Sequence, residues 1–229
     1  MKRSKIIIEL IKDEIIVVQA MDILNLLLQD IKDKKINKWL DKEINGYDDN
    51  DDVPDYRIVE ADVIGSYIVG NGYRMLECKN QPIPLKPDAL EKYTRIKIYS
   101  SIKEVLQIST AEKETKNHCL TMPLHSVIAQ DISMINGQII SANRTLSIYA
   151  YTNILNKIKS KVLKILIELE KEYGNLDDYY IGFSNDEKDK EVIQNITNII
   201  YTDNSVHIGN DNKIESSNVG VGNENWNWK

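Results

Sequence analysis

The stretch that decides the fold reads Trp39-Leu40-Asp41-Lys42-Glu43-Ile44-Asn45-Gly46-Tyr47 and continues, after a short acidic loop, as Pro54-Asp55-Tyr56-Arg57. Its first part predicts a helix over 34–44, for which Asp33 is a typical N-cap residue. Asn45-Gly46 predicts the end of this helix, because both residues adopt left-handed backbone conformations readily. The pattern therefore indicates a helix, a sharp stop and a loop that leads into a strand.

Opposite charges stand on either side of the acidic loop, at Glu43 in the last helical turn and at Arg57 after Pro54. The helix stop, the loop and the proline bring these two residues close along the chain. We therefore expect an ion pair that holds the Gly46-Tyr47 turn against the following strand.

The acidic loop Asp48–Asp52 resembles a calcium-binding loop only in composition. An EF-hand counted from Asp48 requires glycine at its sixth position and glutamate at its twelfth, where this chain has Val53 and Val59. A solvated loop is the better interpretation, and we expect neither a metal ion nor a cofactor.

Outward from this stretch, the N-terminal part of the chain has apolar side chains at three- and four-residue spacings, which indicate amphipathic helices. Two helices with a break near Asp13 fit the pattern best. The apolar stripe consists of Ile7, Leu10, Ile11, Val17, Val18, Met21, Leu24 and Leu28.

Patterns typical of β-strands occupy the middle of the chain. Residues 56–69 and 73–78 are rich in Val, Ile and Tyr and flank Gly70-Asn71-Gly72, which predicts a β-hairpin. Alternating apolar residues predict further strands over 95–99 and 145–150. The expected fold class is α+β, with N-terminal helices, a small mixed or antiparallel sheet, a long C-terminal core helix and a short β-repeat tail.

The long core helix is predicted over 152–173, and Gly174 ends it. Charged residues become dense after Gly174, so we place an α+β core domain at 1–174, a charged linker with a short apolar segment at 175–201, and a tail at 202–229. The buried stripe of the long helix consists of Ile154, Ile158, Val162, Ile165, Leu166 and Leu169.

The tail contains an internal repeat. Val206-His207-Ile208-Gly209-Asn210-Asp211-Asn212 recurs as Val219-Gly220-Val221-Gly222-Asn223-Glu224-Asn225, and each copy predicts a short strand followed by a tight corner. Two repeats are too few to bury a continuous core, so we expect neighbouring chains to complete it and to form a homo-oligomer. The alternative is a mobile solubilising tail. The residues expected at this interface are Val206, Ile208, Gly209, Val219, Val221, Gly222, Trp226 and Trp228, the last two because a lone chain would leave both tryptophans exposed.

Composition and charge exclude some classes of function. The 229 residues are 42% hydrophobic, enough for a sizeable core, and the net charge of −6 opposes non-specific binding to nucleic acid or to an anionic membrane. Charged residues interrupt the first apolar run, so we expect neither an export signal nor a membrane span. The protein should be cytoplasmic, with Cys78 and Cys119 as reduced thiols.

Two groups of residues away from the acidic loop invite a functional interpretation. His118-Cys119 with His125 could form a thiol and imidazole pair, but neither a third orienting group nor a protease signature accompanies them. Lys157, Lys161 and Lys164 form a basic stripe that could meet phosphates, although such a stripe is usually only solvated.

Carboxylates near the loop could serve a metal-dependent nuclease, because two-metal chemistry requires several converging carboxylates. The candidates are Glu43, Asp55, Glu60 and Asp62. The lysine motif that supports them in common nuclease folds is missing. Glu60 and Asp62 share one strand face by their spacing, and that face is more simply the solvated side of the strand.

The chain resembles the AbiTii family of bacterial phage-defence proteins. The resemblance covers four stretches within 1–174, of which the run from Trp39 to Arg57 is the most specific. It implies a role in abortive infection and no particular chemistry, so residues are carried over as matching positions only, with a structural role favoured over a ligand-binding one. These positions are Trp39, Glu43, Asn45, Gly46, Tyr47, Pro54, Tyr56 and Arg57.

Two functional hypotheses follow from the residues and the resemblance. The first is a non-enzymatic sensor, effector or regulator of phage defence that acts through self-assembly and through binding a phage or host protein. The second is an enzyme activated by infection, most plausibly a metal-dependent nuclease.

Overall fold

The computed structural model describes residues 3–111, 118–184 and 186–202. It begins with three helices, α1 (Lys5–Ile11), α2 (Val17–Leu27) and α3 (Lys34–Asn45). Asp13 has a φ of +58° between α1 and α2, which separates the two helices. The predicted pair of N-terminal helices with a break near Asp13 is therefore confirmed.

The limits of α3 agree with the capping residues read from the sequence. The Asp33 carboxylate accepts hydrogen bonds from the backbone N–H groups of Lys35 and Ile36, at 2.8 and 2.9 Å. Gly46 ends the helix with a φ of +97°. Asn45 is the last helical residue, so the left-handed conformation expected for it is wrong, and the glycine alone makes the stop.

Within the described ranges the strands form two antiparallel sheets. In the smaller sheet β1 (Ile58–Glu60) pairs with β4 (Arg95–Lys97). The larger sheet has the order β3-β2-β6-β5 and is built from β2 (Asp62–Gly70), β3 (Met75–Pro82), β5 (Cys119–Leu124) and β6 (Gly137–Ser147). The predicted hairpin corresponds to β2 and β3, and the predicted α+β class with a small antiparallel sheet is confirmed.

The single strand expected over 56–69 is wrong because the chain changes sheets within it. Asp55–Arg57 form a 3₁₀ turn. Ala61 lies between β1 and β2, and its N–H donates to the Thr94 carbonyl. Alternation of apolar residues continues across this switch, since both sheets bury one face.

The strand expected over 145–150 is also misplaced. β6 ends at Ser147, and the next helix, α7 (Tyr149–Tyr173), begins two residues later. Leu146 and Ile148 are both buried, one at the end of the strand and the other at the N-cap of the helix. Their alternation therefore spans a strand-to-helix junction.

Three short helices complete the middle of the molecule: α4 (Pro87–Thr94), α5 (Ile102–Thr110) and α6 (Ser126–Ile132). Ser101 and Glu104 form a reciprocal capping box at the start of α5, in which each side chain accepts a hydrogen bond from the backbone of the other. α4 and α6 contribute Ala89, Ala129 and Ile132 to a small apolar cluster against the larger sheet.

The main core surrounds α7. The stripe predicted for this helix is buried, and it packs against α1, α2, α5 and the last helix, α8 (Glu187–Tyr201). Gly174 ends α7 with a φ of +89°. The predicted long core helix is confirmed, with its start three residues earlier than expected.

Packing of the main core continues beyond residue 174. Leu176, Ile181, Val192, Ile196 and Ile200 are all buried in it. The segment 175–201, expected to be a linker, thus contains a helix that lies on the core. The domain limits themselves stay a prediction. The repeat tail lies outside the described residues, so the expected β-structure in it also stays a prediction. No helix within the described ranges combines the length and apolar character that a membrane span requires.

We predict that Gly46→Ala destabilises the protein by about 3 kcal/mol, near the upper end of the range for strained positions. An added Cβ would meet the Tyr99 carbonyl oxygen at 3.0 Å, in a backbone conformation that L-residues rarely adopt. Gly72→Ala is the matched control, because Gly72 also has a positive φ but open space around it. It should cost about 1 kcal/mol. Denaturant titration measures both values, and equal losses would contradict the steric part of the argument.

Candidate functional site

A buried ion pair joins α3 to the 3₁₀ turn. Glu43 lies in the last turn of α3 and Arg57 ends the 3₁₀ turn, and both side chains are 0% exposed. Arg57 donates from Nη2 to Glu43 Oε2 at 2.6 Å and from Nε to Glu43 Oε1 at 3.2 Å. The ion pair expected from the sequence is therefore confirmed, in a bidentate arrangement.

Three aromatic residues complete the surroundings of Glu43. The hydroxyl groups of Tyr47 and Tyr56 each donate to Glu43 Oε1 at 2.7 Å. The indole N–H of Trp39 donates to the Tyr56 hydroxyl at 2.9 Å. We call these five residues, Trp39, Glu43, Tyr47, Tyr56 and Arg57, the buried network.

The buried network also fixes the segment that follows β4. Arg57 Nη1 donates to the carbonyl oxygens of Ile98 and Ser100, at 3.2 and 2.7 Å. The backbone N–H of Tyr47 donates to the Tyr99 carbonyl at 2.7 Å. The turn after α3 is thereby held against residues 98–100, the chain that leads from the small sheet into α5.

Burial and charge together set the protonation of the buried network. Burial raises the pKa of Tyr47 and of Tyr56 well above the ordinary tyrosine value, and the Glu43 carboxylate adds to the effect. Burial opposes the charge on Arg57, but the Glu43 carboxylate more than offsets it and raises the pKa of the guanidinium. Arg57 is therefore charged and both tyrosines are neutral donors.

Hydrogen bonds within the protein use most of the binding capacity of this pair. Glu43 Oε1 accepts three hydrogen bonds and Oε2 accepts one. Arg57 has five N–H donors, and four of them are engaged with Glu43 and with backbone carbonyls. Chemically, the arrangement is suited to holding three chain segments together and not to binding a substrate.

The other residues of the motif lie around the buried network. Gly46 provides the turn, and the Pro54 carbonyl accepts the Arg57 N–H at 2.8 Å and closes the 3₁₀ turn. Asn45 is exposed and donates from its amide to the Asp41 carboxylate at 2.7 Å. The structure thus brings seven of the eight matching positions into one unit, with Asn45 on its outer side.

An open cleft of about 270 Å³ lies on the other side of Tyr56. Lys161 lies at this cleft, only 8% exposed, and donates to the carbonyl oxygens of Ile199 and Ile200 at 2.9 Å each. Its ammonium group is also 5.5 Å from the centre of the Tyr56 ring. The cleft is lined by Asp52, Val53, Pro54, Asp55, Tyr56, Lys161, Ile200 and Tyr201.

The interpretation of the basic stripe as solvated is wrong for Lys161. Lys161 binds the last carbonyls of α8, where a cation is favourable. The sequence did contain a signal for this position, since Lys161 stands between Ile158 and Val162 on the apolar face of α7.

Lys42 of α3 holds the acidic loop through two of its carboxylates. Lys42 Nζ lies 2.6 Å from an Asp48 carboxylate oxygen and 2.8 Å from one of Asp51. The hydrogen bond to Lys42 lowers the pKa of Asp51 to about 2. Among the described residues no three His, Cys, Asp or Glu side chains are grouped so that they could hold a metal ion.

The histidines and cysteines considered for nucleophilic chemistry have other surroundings. His118 stacks on Tyr149 with 6.0 Å between ring centres, and His125 Nδ1 accepts the Val127 N–H at the start of α6. Cys78 and Cys119 are free thiols, the first half-buried and the second exposed.

The carboxylates considered for a nuclease are distributed over different parts of the fold. Glu43 is bound to Arg57, while Asp55, Glu60 and Asp62 are exposed. Glu60 belongs to β1 and Asp62 to β2, in different sheets, so the expectation that they share one strand face is wrong.

We predict that Glu43→Ala lowers the free energy of unfolding by about 3–5 kcal/mol, because it leaves Arg57 charged and unpaired in the interior. Glu60→Ala removes an exposed carboxylate from β1 and should change stability by less than about 0.5 kcal/mol. Thermal and chemical denaturation of both variants test the difference. A Glu43→Ala variant as stable as Glu60→Ala would show that the pair does not hold the fold.

We also predict that stability falls as the pH rises above about 10. An unfolded tyrosine releases its proton near that pH, whereas folded Tyr47 and Tyr56 retain theirs. Each such tyrosine adds up to about 1.4 kcal/mol per pH unit to the loss. Tyr47→Phe should therefore weaken the protein at neutral pH but flatten this alkaline decline. Urea unfolding at several pH values measures the slope, with Tyr73→Phe as an exposed control, and identical slopes for all three proteins would contradict the prediction.

Comparison with known proteins gives one family. The AbiTii family model matches residues 4–196, a range that contains the buried network, the larger sheet and most of α8. No curated protein and no solved structure matches the chain. Since the matched range covers well over half of the sequence, the chain belongs to the AbiTii family.

Proposed function

We propose that this protein acts in phage defence without catalysing a reaction, as a sensor, effector or regulator that works through self-assembly and through binding a phage or host protein. Membership of the AbiTii family indicates phage defence by abortive infection. Action through self-assembly and partner binding, without catalysis, is our proposal.

The observation that carries this proposal is that most hydrogen-bonding groups of Glu43 and Arg57 in the buried network are engaged within the protein. The motif that characterises the chain forms an internal anchor, in which Glu43 and Arg57 are both fully buried and are bound to each other, to two tyrosine hydroxyl groups and to backbone carbonyls. Such an anchor keeps surfaces in a fixed relation and offers little to a substrate. We therefore assign the action of the protein to its surfaces.

Exposed apolar side chains support a role in binding. Tyr73, Met75, Val127 and Met134 are all more than half exposed, and they belong to the larger sheet, the turn of its hairpin and the helix α6 with its flanking residues. Large exposed apolar side chains often mark interaction surfaces. The repeat tail, with Trp226 and Trp228, adds a second candidate for self-assembly.

The nuclease hypothesis receives no comparable support from the described carboxylates, because Glu43 is engaged and Glu60 and Asp62 lie in different sheets. We predict that the purified full chain does not cleave DNA, RNA or nucleotides with magnesium or manganese. Asp62→Ala should then leave phage plating efficiency unchanged. Metal-dependent cleavage that Asp62→Ala or Glu60→Ala abolishes would overturn the proposal.

The assembly part of the proposal is tested on the tail within the full chain. Ile208→Asp with Val221→Asp should reduce both the oligomer mass in light scattering and phage protection, at an unchanged melting temperature. His207→Asp with Gly220→Asp is the matched control, since it adds the same charges at neighbouring positions. Full protection by a protein that stays monomeric at all concentrations would overturn a role for self-assembly.

A further inference from the structure

β3 is an outer strand of the larger sheet. Within the described part of the chain it pairs with β2 on one side and with nothing on the other. All of its residues except Cys78 are exposed. An outer strand presents unpaired backbone N–H and C=O groups that can pair with another strand.

One end of β3 is open to such pairing. Natural outer strands are usually protected by proline, bulges or charges, and β3 has Asn80 with a φ of +50° and Pro82 at its far end. Near the hairpin turn, by contrast, Tyr73, Met75 and Leu76 are 98%, 70% and 63% exposed. The run 75–79 thus carries exposed apolar side chains together with the charges of Glu77 and Lys79, and the positive φ and the proline lie beyond it.

We propose that β3 pairs antiparallel with β3 of a second copy of this chain, about a two-fold axis at Cys78. The two larger sheets then form one continuous sheet, in which Leu76 of each copy lies opposite Asn80 of the other. This inference deepens the proposed self-assembly by naming its surface, and it places that surface outside the tail.

Charge complementarity favours a second copy as the partner and favours this register over the two adjacent ones. Glu77 and Lys79 lie on the same face of β3, with 3.3 Å between their charged groups. Around an axis at Cys78, residues equally distant from the axis face each other, so Glu77 of each copy faces Lys79 of the other. An axis at Glu77 or at Lys79 would oppose two like charges, which destabilises a strand pair.

The same register brings the two Cys78 residues opposite each other. Facing residues of antiparallel strands have Cα atoms about 4.5–5.5 Å apart, within the range of about 4.4–6.8 Å that a disulfide spans. Cys78 is a free thiol. It is therefore a native probe of the proposed axis.

The first experiment cross-links the full chain with diamide, which takes two electrons and two protons from a pair of thiols and leaves a disulfide. The Cys119→Ser variant, which retains Cys78, should give a covalent dimer that reductant reverses. The Cys78→Ser variant, which retains Cys119, should stay single-chain on the same gel. A dimer that depends on Cys119 and not on Cys78 would overturn the proposal.

The second experiment changes charge at exposed positions and measures dimer dissociation by analytical ultracentrifugation. Glu77→Lys turns both intermolecular pairs into repulsion and should weaken the dimer about tenfold. Glu77→Lys with Lys79→Glu restores opposite charges across the axis and should recover the affinity. Far-ultraviolet circular dichroism should show the same secondary structure in all variants, and a dissociation constant that none of the variants changes would overturn the proposal.

The tail variant Ile208→Asp with Val221→Asp separates this inference from the proposed function. A dimer that this variant retains and Glu77→Lys weakens supports the β3 interface. If the tail variant dissociates and the β3 variants do not, the interface lies in the tail, and only the β3 inference fails. A full chain that is monomeric throughout contradicts both proposals.

Discussion

The buried pair of Glu43 and Arg57 is the constraint on which the main fold depends. Each charge is costly away from water, and only the partner and the added hydrogen bonds make its burial tolerable. The partners come from the end of α3, the 3₁₀ turn and the carbonyls of residues 98–100. Three chain segments must therefore be in position together, because the interior without any one of them would contain an unpaired charge.

The same principle fixes α8 at both ends. At its C-terminal end Lys161 of α7 binds the last carbonyls of the helix. In its first turn Asp189 is buried, and it accepts hydrogen bonds from the Tyr173 hydroxyl and from the Ser184 N–H. Polar anchors of this kind specify where an amphipathic helix lies, whereas apolar contacts alone would tolerate several positions. A segment rich in charge is thereby part of the core.

The sequence allowed local structure to be predicted better than long-range structure. The break at Asp13, the Asp33 cap and the stop at Gly46 depend on neighbouring residues, and they were correct. The Glu43 and Arg57 pair was also accessible, since few residues separate the two. The failures involve distant partners: the change of sheet at Ala61 depends on Thr94, and the end of β6 depends on pairing with β5. The spacing of apolar residues indicates which residues are buried, but it does not indicate which element they pack against.

The sequence predicted which residues belong to the site more reliably than it predicted their roles. Lysine side chains are usually solvated, but the apolar neighbours of Lys161 on its helix are the stronger guide to its burial. Asn45 was assigned to the turn because asparagine tolerates left-handed backbone, while Gly46 alone adopts a positive φ. In both cases the average behaviour of a residue type was outweighed by its particular position.

The described residues form two apolar clusters of unequal size, and the two clusters differ in how much they contribute to stability. The main core holds α1, α2, α3, α5, α7 and α8, and it includes Trp39 from the buried network. The larger sheet is covered on one face by α4 and α6 over a much smaller cluster. Parts of a protein with fewer buried contacts contribute less to global stability, and residues there can change at lower cost. The outer strand β3 lies in this second part. Residues of an interface on β3 could therefore change without disturbing the Glu43 and Arg57 pair in the main core. The main core would still support the larger sheet.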